Sequence, residues 1–300
     1  MRVFLTGATG FIGSRIVPEL LAAGHRVLGL TRSDGGAKFL VEAGAEAHRG
    51  TLDDLDSIRA GAADVDAVIH TAFDHDFANF MDNCEKDRRV IAALGSVLKG
   101  SDRPLLITSG TGMGDAGDGA PAREDVFDAH NPNPRALSEV AAQALLADGV
   151  NVSVMRLPQV HDKMKQGLIS PYIDMSREKG SVAYVGEGLN RWPAAHVLDV
   201  AKAYALAFDR GEAGSRYHAV AEEGVTTRAV AEVVAAGLDL PIVSLSPDEA
   251  ADYFGWFAMF ASLDMPAASA QTRAKLGWDP TGPTLLADLR NMDYSAALER

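Results

Sequence analysis

The sequence has 300 residues, 47% of them hydrophobic and 23% charged, with a formal net charge of −13. A chain of this length can form one large domain or two lobes around a full core. Its acidity disfavours nucleic-acid backbones and anionic lipid as partners. Cys84 is the only cysteine, which excludes an internal disulfide and fits a reducing compartment. No apolar run approaches the roughly 18 residues of a membrane span. The opening "MRVFLTGATG" has no secretory pattern, so the expectation is a cytoplasmic protein with no membrane partner.

Along the first half, short β-rich runs alternate with helical patterns. Val3–Leu5, Arg26–Leu30, Ala45–His48, Ala67–Ala72, Leu105–Thr108 and Val152–Leu157 read as strands. Phe11–Ala23, Leu55–Ala60, Phe80–Lys99 and Pro134–Leu146 read as helices, with Pro18 expected to bend the first. Short apolar strands, each followed by a helix, specify a doubly wound parallel α/β sheet covered on both faces. After about residue 160 the alternation weakens. Helical patterns at Leu198–Phe208 and Thr227–Ala236 flank a strand at Arg216–Val220, and a tail with "GWFAMF" and "KLGWDP" follows. The reading is a dinucleotide-binding domain over residues 1–160 and a smaller α/β substrate lobe over 161–300, with 196–220 returning to the first.

"VFLTGATGFIGSRI" places Gly7, Gly10 and Gly13 directly after a strand and at the opening of a helix. Such a turn must be tight, must let backbone approach a diphosphate, and must pack helix hard on strand. The helix N-terminus then offers free N–H groups and a positive dipole end, so Thr9, Phe11 and Ile12 join the glycines as phosphate-loop residues. The second strand ends "GLTRSD". An acidic residue about 20 positions past the glycines would hold the ribose of NAD. Here Arg32 and Ser33 occupy that place, and a guanidinium suits the 2′-phosphate of NADP. NADP(H) is therefore favoured over NAD(H), while Asp34 could serve NAD after a shift of one or two residues.

With "TGATGFIG", "VIHTAF", "LLITSGTGMGD", "VMRLPQVHD", "AAHVLDVAKAYALAF" and "TRAKLGWDP", the chain resembles the extended and atypical short-chain dehydrogenase/reductases over nearly its whole length. That superfamily includes NAD-dependent epimerase/dehydratases and dihydroflavonol-reductase-like enzymes. The resemblance implies a Rossmann-type domain and places Leu52, Thr71, Ala72, Phe73, Pro158 and Gln159 along the cofactor. It also implies a homodimer through the helices at Phe80–Lys99 and Pro134–Leu146. Family members carry a Ser or Thr after the fifth strand, a Tyr-x-x-x-Lys pair opening the next helix, and an Asn on the preceding long helix. At those positions this sequence has Gly110, flanked by Ser109 and Thr111, then Arg135 and Glu139, and Asp87. None of its six tyrosines has a lysine four residues on.

A guanidinium stays protonated at physiological pH, so Arg135 cannot donate the proton. It can polarise a carbonyl or bind an anion, or it can simply pair with Glu139 along one helix face. Thr111 and Ser109 are candidates to hydrogen-bond the substrate oxygen. His161, at the carboxyl edge of the sixth strand, is a candidate acid/base or a satisfied structural histidine. Asp87 is a candidate water relay or a helix carboxylate beside Arg88. Asn190, Arg191 and Trp192 read as packing at the lobe junction, and His196 and Asp199 as architectural. No clustered metal ligands and no G-x-S-x-G nucleophile motif are present in the sequence. Three functions compete: an NADP(H)-dependent oxidoreductase acting on a small carbonyl or alcohol, a nucleotide-sugar epimerase or dehydratase, and a non-catalytic NADP(H) sensor.

Overall fold

The structure is a computed structural model that describes residues 1–295. In the first half, β1 (Arg2–Thr6), α1 (Gly13–Ala22), β2 (Arg26–Thr31), α2 (Asp34–Glu42), β3 (Glu46–Arg49) and α3 (Leu55–Ala63) alternate strictly. Then follow β4 (Ala67–His70), α4 (Phe80–Leu98), β5 (Leu105–Gly110), α5 (Ala136–Ala147) and β6 (Val152–Leu157). The second half adds β7 (Gln159–His161), α6 (Ile169–Lys179), β8 (Val182–Val185), β9 (Arg191–His196), α7 (Val197–Arg210), β10 (Arg216–His218) and β11 (Glu222–Thr226). It ends with α8 (Thr227–Leu238), β12 (Ile242–Leu245), α9 (Pro247–Phe254), α10 (Ala258–Ala261), α11 (Ala270–Leu276) and α12 (Leu285–Arg290). Among the described residues, no helix is long and apolar enough to cross a membrane.

Seven strands form one parallel sheet in the order β10-β6-β5-β4-β1-β2-β3. The order reverses between β1 and β4, which opens a crevice at the carboxyl ends of those two strands. Alternation along each strand divides the core in two. Val3, Leu5, Ala67, Ile69 and Met155 face α1 and α7, while Phe4, Val68, Leu105, Ile107 and Val154 face α3, α4 and α5. Residues 197–218 thus belong to the first lobe: α7 packs on α1 and β10 pairs with β6. The second lobe carries the β11-β9-β7 sheet, the β12-β8 pair and its own apolar cluster around Tyr172, Phe254 and Phe257.

Three expectations differ in detail. The first helix starts at Gly13 rather than Phe11, because the chain before it closes a turn in which Gly10 donates its amide to Gly7; α1 also continues through Pro18. The fourth strand stops at His70, because Thr71 and Ala72 turn back onto Thr6. Helix α2 contains two adjacent glycines, which hid it from a propensity reading, and Ser33 caps it by accepting the Gly36 amide.

A buried charge cluster seals the far edge of the sheet. Arg156 of β6 is fully buried and donates through Nε and Nη2 to Glu139 at 2.7 and 2.8 Å. Its Nη1 also donates to His218 Nε2 at 3.2 Å, and His218 Nδ1 donates to the Ala268 carbonyl. That pattern fixes a neutral imidazole. Burial, reinforced by the Arg156 charge, pushes the His218 pKa down to about 4. The group therefore contributes stability that is complete above the ordinary histidine range and is lost as pH falls from about 6.5 towards 4. Thermal melts should show a falling midpoint over that window, with a shallower fall in His218→Asn. A midpoint independent of pH between 7 and 4 would refute a neutral buried His218.

Candidate active site

Three strand ends meet at the crevice. Gly7 follows β1 with φ of +71°, and a Cβ there would lie 2.6 Å from Thr71 Oγ1 and 2.8 Å from the Ala72 amide. A Cβ on Gly13 would collide with the Gly7 carbonyl. Both glycines are steric necessities, because the β1–α1 turn is wedged against the end of β4. Thr9 and Gly10 are exposed at the rim, with Phe11 and Ile12 half-buried. Among the described residues, no backbone carbonyl receives the amides of Phe11 or Ile12. Free amides at a helix start, beside a cradle that tolerates no side chain, fit a dinucleotide diphosphate.

At the end of β2, Thr31 is buried while Arg32 and Ser33 are exposed. Asp34 turns outward as the first residue of α2, its carboxylate 3.3 Å from Arg49. Leu52, Thr71, Ala72 and Phe73 are half-buried around the same crevice, as is Pro158. Gln159 is buried and accepts the Leu168 amide, so its side chain belongs to the packing of the second lobe.

Of the four family positions, Asp87 and Arg135 are brought together beside the end of β5 while Glu139 is not, and every charged one has a partner. Asp87 of α4 is buried; its Oδ1 accepts from His70 Nε2 at 2.9 Å, and its Oδ2 from Arg135 Nη1 at 2.6 Å and Ser138 Oγ at 2.5 Å. Burial raises the Asp87 pKa, but the Arg135 charge and the donors from His70 and Ser138 outweigh it and hold the carboxyl well below the usual range. His70 Nδ1 lies 2.6 Å from Thr6 Oγ1, which serves as its donor. Arg135 places three N–H groups on Asp87, Ser138 and the Thr108 carbonyl, and stacks its guanidinium 4.2 Å from the centre of the Phe73 ring. Among the described residues, two of its five N–H donors find no hydrogen-bond partner.

An intrahelical Arg135–Glu139 pair is therefore ruled out. Glu139 faces the opposite way and takes Arg156 and, at 2.8 Å, Arg216. The reason is geometric: Arg135 precedes the first turn of α5, so its side chain reaches the β5 edge while Glu139 faces β6. Nor is Asp87 an exposed carboxylate beside Arg88, which pairs instead with Glu85.

The remaining candidates divide. Ser109 is buried, and its hydroxyl has no hydrogen-bond partner among the described residues. Thr111 is buried in the turn after β5. A Cβ on Gly110 would meet nothing within 4 Å, so the strand end there faces open space. His161 is fully buried, 2.7 Å from Asp288 through Nδ1, and burial lowers its pKa despite that carboxylate. Its ring packs edge-on against His196 and shows no face to solvent. In the second lobe Arg191 is committed to Asp264, Asn190 bonds the Ala261 carbonyl, and Trp192 is buried. His196 caps α7, and Asp199 accepts the Gly282 amide.

Sequence reasoning missed Thr6, His70, Ser138 and Tyr204, whose hydroxyl lies 2.5 Å from Thr108 Oγ1. The available signal was three polar residues, Thr6, His70 and Thr108, closing three apolar strands that pair side by side.

Residues 3–221 match the NAD dependent epimerase/dehydratase family, and the chain belongs to it. It is 44% identical over 295 residues to an uncharacterized protein of Schizosaccharomyces pombe, covering 98% of this chain and 100% of that one. It is 28% identical over 251 residues to vestitone reductase of Medicago sativa, covering 72% and 76% of the two chains. Its fold is shared with UDP-glucose 4-epimerase of Thermus thermophilus, solved with NAD, at a TM-score of 0.74, 22% identity, and coverage of 99% and 100%.

Writing the family's lysine into this frame should fail. Glu139→Lys removes the carboxylate between Arg156 and Arg216 and adds a third cation, and losing one partner of a buried pair costs about 3–5 kcal/mol. The expected result is a collapse of the melting midpoint, larger than for Glu139→Gln. A Glu139→Lys protein that melts with the unaltered one would show that the cluster does not support the fold.

Proposed function

We propose that the protein is an NADP(H)-dependent oxidoreductase that reduces a carbonyl group of a small molecule. The observation that carries this reading is the guanidinium of Arg135, held from three sides at the end of β5 with two N–H groups uncommitted. Gly110, two residues past the Thr108 carbonyl that Arg135 holds, faces open space.

The dinucleotide, when bound, supplies the hydride. The chain's own residues do the rest. The Gly7–Gly13 turn and the first amides of α1 hold the diphosphate. Arg32 takes the 2′-phosphate by a charge-assisted hydrogen bond, while Asp34 turns outward towards Arg49. Arg135 binds the substrate oxygen and stabilises the negative charge that grows on it. Because a guanidinium keeps its proton, the proton that completes the alcohol comes from water. A fixed cation also cannot serve as the base that removes a sugar hydroxyl proton, and Arg191 is already paired. Both facts favour carbonyl reduction over nucleotide-sugar epimerisation.

Binding assays should give tighter NADPH than NADH. Arg32→Ala should weaken NADPH about tenfold or more while leaving NADH unchanged, the scale of a lost hydrogen bond to a charged group. Equal affinity for both dinucleotides would exclude the 2′-phosphate role. With a carbonyl panel, Arg135→Ala should lower kcat/KM by about 10²–10³ with NADPH affinity intact, and Arg135→Lys should recover little of it. Confirmed NADPH binding with no oxidation by any carbonyl would leave a nucleotide-binding sensor as the better reading.

A further inference from the structure

Two aromatic clusters from different lobes meet next to Arg135. The stretch from the end of β4 to the first residue of α4 carries Phe73, Phe77 and Phe80, and the stretch from the end of α9 through α10 carries Trp256, Phe257 and Phe260. Their rings form a continuous path. Arg135 lies over Phe73; Phe73 meets Phe80 at 6.2 Å, Phe80 meets Phe77 at 5.7 Å, and Phe77 stacks on Trp256 at 5.1 Å with planes 9° apart. Phe260 closes edge-on against Phe77 at 5.9 Å. Unlike the buried Trp192 and Trp278, each 3% exposed, Trp256 is 44% exposed. An indole that bridges two lobes and still shows solvent this much surface is not serving a closed core.

Resting on the carbonyl-reductase reading above, we infer that Phe77 and Trp256 form an aromatic clamp that selects a planar aromatic or conjugated carbonyl compound. One end of the path offers ring faces and the other offers two guanidinium N–H groups. A molecule that carries both a carbonyl and a flat ring has a complement at each end. A sugar has no flat ring to lay against these faces, and in the second lobe Arg191 is already held by Asp264. The ligand's ring replaces one partner of the Phe77–Trp256 stack, so that stack parts when substrate enters.

The test uses 1-phenylpropane-1,2-dione and 1-cyclohexylpropane-1,2-dione, which share the dicarbonyl and differ in the flat ring. With NADP⁺ bound, the phenyl compound should change the fluorescence of Trp256 and the cyclohexyl compound should not. With NADPH, kcat/KM should favour the phenyl compound. In Phe77→Leu and Trp256→Leu that preference should fall by about two- to tenfold, the scale of one aromatic pair. Trp256→Phe should restore it, and NADPH affinity should be unaltered in all three. A phenyl preference untouched by both leucine variants, or no fluorescence response to the phenyl compound at millimolar concentration, overturns the clamp. A fluorescence response without NADPH oxidation upholds the clamp and rejects the reductase reading instead.

Discussion

The buried carboxylate of Asp87 is the constraint on which the site depends. An ion taken out of water costs several kcal/mol unless its lone pairs are filled, and here His70, Ser138 and Arg135 fill them. The carboxylate in turn dictates where each donor stands. His70 ends β4, Ser138 is on the first turn of α5, and Arg135 lies just before it. One charge thereby ties the long helix α4 to the carboxyl edge of the sheet and sets the direction in which the Arg135 guanidinium points. Through His70 the same network reaches Thr6, the last residue before the phosphate loop.

At the positions that the resemblance gives to the family's tyrosine and lysine, the charges differ from the usual ones: Arg135 for a neutral phenol and Glu139, an inversion of sign, for the lysine. Each has acquired partners from elsewhere in the fold: Asp87 for Arg135, and Arg156 and Arg216 for Glu139. The partners come from α4, β6 and β10, so the inversion is built into the first lobe and is not confined to one helix. Neither a guanidinium nor a carboxylate locked in its ionised form exchanges protons near neutral pH.

The two lobes contribute different physics to the cleft. The first supplies backbone amides and one directed guanidinium, suited to charged and polar atoms. The second supplies ring faces at Trp256 and Phe260, suited to apolar surface. The segment after β4 joins these contributions, since Phe73 touches the guanidinium and Phe77 touches the far lobe.

The strand–glycine–helix opening and the alternation through Leu157 were legible in the sequence because they rest on local rules. Short, almost continuously buried apolar runs mark the strands, helical spacing marks the helices, and a turn that excludes Cβ atoms demands glycine. The absence of the Tyr-x-x-x-Lys pair was equally plain, being a matter of residue identity. Which charge pairs with which was not. The four-residue spacing of Arg135 and Glu139 suited a helical ion pair, and only the sheet decided otherwise, by bringing Asp87 from 48 residues away and Arg156 from 17. The β9 and β11 strands and the ring path between lobes were hidden for the same reason. Their partners are distant in sequence, and no local pattern records a contact that exists only after the chain has folded.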